Sequence, residues 1–140
     1  MGSLFFSDTI NKQIPPKKSR TNFSVMLDSF ENSKSNTLSN INIALEHLYN
    51  QKIKNHLIFI LTDSLENLDE KKLRALAIKN DLIWFHIFDS YENTLSLDIP
   101  VHITDKKHHL ITTTDEKKRA VYENLRTEKI ITFEKMIRNV

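Results

Sequence analysis

Apolar residues change their spacing several times along the chain, and each spacing predicts an element. Ser3-Leu4-Phe5-Phe6 reads as a short buried strand. Asp8 to Arg20 is polar and holds Pro15-Pro16, which forbids a regular helix or an inner strand there. Phe23, Met26, Leu27 and Phe30 then recur at helical spacing, behind a cap at Thr21 or Asn22. Asn32 to Thr37 is a polar break. Ser39 or Asn40 caps a second helix, with Ile41, Ala44, Leu45 and Leu48 on one stripe.

The pattern changes at His56. Leu57-Ile58-Phe59-Ile60-Leu61 is apolar without alternation, the mark of a strand covered on both faces in a parallel sheet. It ends at Thr62-Asp63-Ser64. A third helix runs roughly from Asp69 to Lys79, with Leu73, Leu76 and Ala77 facing inward. Leu82 to Phe88 is a second buried strand, ending at Asp89. Strand, helix and strand with short links predict a right-handed βαβ unit. Beyond it, Ile99 to Ile103 and Leu110 to Thr113 read as a hairpin joined through Asp105 to His109. Asp115 caps a long helix to about Arg138, striped with Tyr122, Leu125, Phe133, Met136 and Ile137.

Composition narrows the chemistry. The 140 residues include one glycine, Gly2, and no cysteine. A phosphate loop, a dinucleotide fingerprint, an EF-hand and a nucleophile elbow all need interior glycine and are excluded. So are cysteine zinc sites, disulfides and thiol catalysis. Twenty basic and 18 acidic residues leave a net charge of +2, too balanced to imply nucleic acid or an anionic membrane. The longest apolar run is far shorter than a membrane span, and the N-terminus has no signal-peptide pattern. A single domain over residues 1–140 and a cytoplasmic location are expected.

In open parallel sheets, ligands bind at the carboxyl ends of strands. Asp63 and Asp89 fall there. Ser39, at the start of the second helix, adds a hydroxyl of the kind that serves Mg²⁺ beside a carboxylate. The plainer role for Asp63 and Ser39 is to cap helices and turn the backbone. His86 reads as a hydrogen-bonded strand residue, and His102, His108 and His109 as part of a solvated hairpin. Lys117-Lys118-Arg119 reads as the exposed face of the last helix.

The order of these pieces resembles the C-terminal half of the family catalogued as domain of unknown function 58, which carries a von Willebrand factor A-like domain. Ser39 to Leu45 resembles the family's "threonine–aspartate–leucine…alanine–leucine" helix start. Leu57 to Ser64 resembles its strand ending in Ser/Thr-Asp. Leu73 to Ala77, Lys79 to Leu82 and Phe88-Asp89 resemble its helix, link and second strand end. Val101 to Asp105 resembles its hairpin, and Ile14 to Lys18 its "pro-pro-lys" loop.

The resemblance implies an α/β, Rossmann-like fold with a mostly parallel sheet and flanking helices, then a C-terminal hairpin and long helix. It also implies a non-enzymatic interaction or scaffold role, as adaptor to a MoxR-type AAA+ ATPase. The binding face would be Ser39, Asp63, Ser64 and Asp89. Relatives hold a divalent ion through an Asp-x-Ser-x-Ser loop, and this chain has no such segment. Ser39 and Asp63 match the second and third metal loops, so the metal site is degenerate and no cofactor is expected. The central strand that carries the missing loop is also expected to be absent. The domain is then an incomplete fragment, with three outcomes open: its two flanking strands pair directly, another polypeptide or a second copy supplies the missing strand, or the chain folds poorly. The alternative is a metal-assisted phosphohydrolase or nuclease using Asp63 and Asp89. Titration calorimetry of Mg²⁺ into the chain is expected to show no binding of millimolar or tighter affinity.

Overall fold

A computed structural model describes residues 1–33, 39–63, 65, 67–89, 101–104, 109–112 and 116–139. The elements are β1 (Ser3–Phe6), β2 (Ile10–Ile14), α1 (Arg20–Glu31), α2 (Ile41–Asn50), β3 (Leu57–Thr62), α3 (Glu70–Ala77), β4 (Asp81–His86), β5 (Val101–Thr104), β6 (His109–Thr112) and α4 (Glu116–Arg138). The architecture is mixed α/β. Among the described residues the strands form three two-stranded sheets, β1-β2, β3-β4 and β5-β6, in place of the single mostly parallel sheet expected. The physical reason is local: two of the three pairs are hairpins, closed by short links between consecutive strands. The chain divides into two compact units, Met1–His56 with Leu68–Asp81, and Leu57–Asn67 with Leu82–Val140.

In the first unit β1 and β2 pair antiparallel, Ser3 opposite Ile14 and Phe6 opposite Ile10, with an irregularity between Phe5 and Phe6. The strand β2 falls in the polar stretch where a regular helix and an inner strand, but not an edge strand, had been excluded. Its middle, Asn11-Lys12-Gln13, is exposed, and Pro15 ends it. β1 is half-buried along its length. Gly2 is needed at its start, because a Cβ there would lie 2.7 Å from the Ile14 carbonyl oxygen and 2.7 Å from the Pro16 nitrogen.

The helix α1 starts earlier than the Thr21 or Asn22 cap expected. Ser19 is its N-cap, with extended backbone and no side-chain cap bond. Asn22 instead donates from its side chain to the Met1 and Pro15 carbonyls. None of the α1 residues is buried, and Phe30 is 69% exposed. The core of this unit comes from elsewhere: Ile14, Ile41, Ala44, Leu45, Leu68, Leu73 and Leu76. The helix α2 packs against both α3 and β1.

Polar side chains tie these pieces together. The hairpin turn presents the Ser7 carbonyl to the Asn40 N–H at 3.0 Å. Asn40 is the N-cap of α2, and its side chain accepts the Asn42 N–H at 3.1 Å. Asn42 in turn accepts the Asp69 N–H at 2.7 Å, and Asp69 caps α3 through the Lys72 N–H at 3.2 Å.

Asn80 does similar work where the chain leaves α2 and α3. Its amide nitrogen donates to the carbonyls of Leu76 (2.9 Å) and Ile53 (3.2 Å), and its oxygen accepts the His56 N–H (3.1 Å). Beside it, Asn55 N–H donates to Lys79 O at 2.8 Å and Asp81 N–H to His56 O at 2.9 Å. The link after α2 turns through two left-handed residues, Lys52 (φ 53°) and Asn55 (φ 60°). Lys52 stands just past the C-cap of α2, where helices most often place glycine.

In the second unit β3 pairs with β4. Their far ends are joined by Ile87 N–H to Thr62 O at 2.9 Å. That bond keeps the sequence offset of the Asp81–His56 bond, so the two strands run parallel, as expected of a βαβ unit. Ile60, Thr62, Trp84 and His86 line one face. Phe133 of α4, itself buried, meets the Trp84 ring edge-on at 5.2 Å and lies 6.2 Å from the His86 ring. The opposite face corrects the expectation of two covered faces: Leu57, Phe59, Leu61, Ile83, Phe85 and Ile87 are 39–58% exposed. β5 and β6 form the expected antiparallel hairpin, Val101 opposite Thr112, and α4 runs 23 residues from Glu116. Asp115, expected as its cap, lies outside the described residues.

Two substitutions should move stability in opposite directions. Asn80→Ala removes hydrogen bonds to three backbone groups, one buried and two partly buried, and is expected to destabilise by about 1–3 kcal/mol. Lys52→Gly relieves the left-handed penalty and is expected to stabilise by about 1 kcal/mol. Urea unfolding followed by circular dichroism measures both.

Candidate interaction face

The residues expected to form the face fall on three segments. Ser39 is exposed in the first unit, one residue before the N-cap of α2. Of the two cap candidates, Asn40 is the N-cap, accepting the Asn42 N–H. Asp63 follows the last residue of β3, and Asp89 lies three residues past the end of β4. Both carboxylates are exposed. The Ile87–Thr62 bond joins the carboxyl ends of the two strands, so Asp63 and Asp89 issue from the same end of a parallel pair. Ser64 lies outside the described residues.

Two carboxylates alone do not hold a hard cation, which takes six or more oxygens in a fixed shell. No group of three or more His, Cys, Asp or Glu side chains able to hold a metal occurs among the described residues. A hydrolase using Asp63 and Asp89 would need such a third ligand. No described helix is long and apolar enough to cross a membrane.

Asn40, Asn42 and Asp69 form a polar corner next to Ser39 in sequence, and it was not expected. Lys72 sits between two acids there, 3.2 Å from Asp69 and 3.6 Å from Glu46. The Lys72 backbone N–H, with its ammonium group behind it, holds the Asp69 carboxyl below the usual carboxylate range. The hydrogen bond that the Lys72 ammonium donates to Asp69 raises Lys72 above the usual lysine range, and Glu46 adds to it. The available signals were the Asn-x-Asn start of α2 and the Asp-x-x-Lys spacing at the start of α3. Both read as helix caps, and capping is what the geometry shows them doing.

With this geometry in place, the comparisons assign the family. The model for the protein family of unknown function DUF58 matches residues 1–131. The chain belongs to the DUF58 family. No curated protein and no solved structure matches it. The DUF58 match takes in Ser39, Asp63 and Asp89, together with every described element up to the greater part of α4.

The ion pair of the polar corner has a pH signature. A depressed carboxyl contributes stability at neutral pH that is lost as pH falls through its folded value, below about pH 4. A raised lysine contributes stability below about pH 10 that is lost above it. Asp69→Asn keeps an N-cap acceptor and removes the charge. Urea midpoints across the acid range should therefore fall less steeply in Asp69→Asn than in the parent chain.

Proposed function

We propose that the chain is a non-enzymatic interaction module of von Willebrand A-like, Rossmann-like type, an adaptor to a MoxR-type AAA+ ATPase in the cytoplasm. The observation that carries this reading is the pair of exposed carboxylates, Asp63 and Asp89, at the carboxyl ends of adjacent parallel strands. That end of an open α/β sheet is where such folds bind. Membership of DUF58 supports it, because the resemblance of this family to von Willebrand A-like domains implies partner binding on that face.

Contact at Asp63, Ser64 and Asp89 is then electrostatic and hydrogen-bonded, without an ion to complete it. Two exposed acids attract a basic patch on the partner and set orientation and association rate more than final affinity. The metal-free reading rests on the absent Asp-x-Ser-x-Ser segment.

Biolayer interferometry against a purified MoxR-type ATPase tests the proposal. Binding is expected in the presence of EDTA, weakened about tenfold or more by Asp63→Lys with Asp89→Lys. Binding that EDTA abolishes, or that the double variant leaves unchanged, overturns it.

A further inference from the structure

The segments that leave α2 and α3 enclose an open cavity of about 540 Å³, lined by Lys52, Lys54, Asn55, Ile78 and Lys79. A smaller cavity of about 210 Å³ shares Lys52 and Lys79 with it and adds the apolar side chains of Tyr49, Ile53, Ala75 and Leu76. The walls are fixed to one another. Asn55 N–H donates to Lys79 O at 2.8 Å, and the Asn80 amide binds Ile53 and His56 to Leu76. Among the described residues no acid lines either cavity. Among them, too, the three lysines make no ion pair and the Asn55 carboxamide has no hydrogen-bond partner. Lys52 holds a left-handed backbone, φ 53°, at a position where glycine would cost less. Backbone strain of this kind clusters where ligands are held. Lys52 and Lys79 follow the C-caps of α2 and α3, where a cation offsets the helix dipole. That role uses only part of the charge: each helix end carries about half a negative charge, so three ammonium groups leave a surplus of about two.

We propose that this double cavity binds a small organic phosphate monoester, its phosphate among Lys52, Lys54 and Lys79 and its apolar body against Tyr49, Ile53 and Ala75. The charge selects the head group. A phosphate monoester carries about −1.5 to −2 at neutral pH, which matches the surplus, whereas a carboxylate carries one charge. Its oxygens only accept hydrogen bonds, and the ammonium groups and the Asn55 amide nitrogen supply donors. The smaller cavity selects an organic ester over the bare ion, because Tyr49, 46% exposed, offers a ring to an apolar body. The size selects a small molecule: the larger cavity alone falls within the range of about 300–1,000 Å³ in which small ligands bind. Walls already joined through Asn55 and Asn80 need little ordering on binding. The site includes none of Ser39, Asp63, Ser64 and Asp89, so it stands independently of the ATPase reading above.

Titration of phenyl phosphate into the full chain, followed in its amide NMR spectrum, tests this. Saturable shifts are expected at Lys52, Lys54, Asn55, Ile78 and Lys79, with a Kd of about 0.1–1 mM. Inorganic phosphate and benzoate, each lacking one half of the ligand, are expected to bind about tenfold more weakly. Lys52→Gly should weaken phenyl phosphate binding about tenfold while raising the urea midpoint, so that the loss is not one of folding. Lys79→Gln should weaken it similarly. Lys71→Gln, at an exposed position of α3 outside both cavities, should not. The absence of saturable shifts up to about 10 mM overturns the proposal. So does binding that Lys52→Gly and Lys79→Gln leave unchanged, an equal loss in Lys71→Gln, or benzoate binding as tightly as phenyl phosphate. Co-sedimentation with phosphatidic acid vesicles, without binding of phenyl phosphate, assigns the charge to a lipid surface and also overturns it.

Discussion

The Asn80 side chain is the constraint on which the arrangement of the parallel strands depends. One amide joins the carbonyls of Ile53 and Leu76 to the N–H of His56. It therefore binds the segment leaving α2 to the segment leaving α3. The next residues on each segment begin β3 and β4, so the two strands start side by side in the same direction. Their far ends, and with them Asp63 and Asp89, must then emerge together. A buried amide satisfied on both its nitrogen and its oxygen is directional in a way that Leu45 and Leu73 are not, and it specifies register where apolar packing specifies only proximity.

A second polar line runs through the first unit from Ser7 by way of Asn40 and Asn42 to Asp69. Each member satisfies a backbone N–H that a turn or helix end would otherwise leave unpaired. Asn and Asp are used at these junctions in a chain with one glycine, and Lys52 and Asn55 take left-handed conformations without it. The lack of interior glycine excludes phosphate loops. It does not prevent the tight turns, because polar side chains and two strained residues make them. The one glycine present is used where a Cβ would collide with backbone, beside Ile14 and Pro16.

The elements were legible in the sequence where spacing was strong. The stripes of α2 and α3, the strands β3 and β4 and the hairpin β5–β6 follow their apolar periodicity. β2 was not legible as a strand, because its apolar residues stand only at its ends and it is held by backbone pairing to β1. α1 was legible as a helix, but its stripe gives no indication that its residues stay unburied. The candidate face was legible as residue types, two aspartates after two apolar strands. That they issue from one end of a parallel pair depends on hydrogen bonds among residues 53–56, 62, 76–81 and 87.

By itself, the sequence determined the helix and strand types, the excluded chemistries and the acids available to a partner. These depend on periodicity and composition, which are local properties of the chain. Only the tertiary structure decided which face of β3 and β4 is covered. Both faces are apolar in sequence, and Phe133, more than 40 residues beyond β4, packs on one of them. It also decided that Asn40, one of two cap candidates in the sequence, and Asn80, unremarkable in sequence, hold the junctions, because a polar side chain's role depends on which backbone groups the fold brings within reach of it.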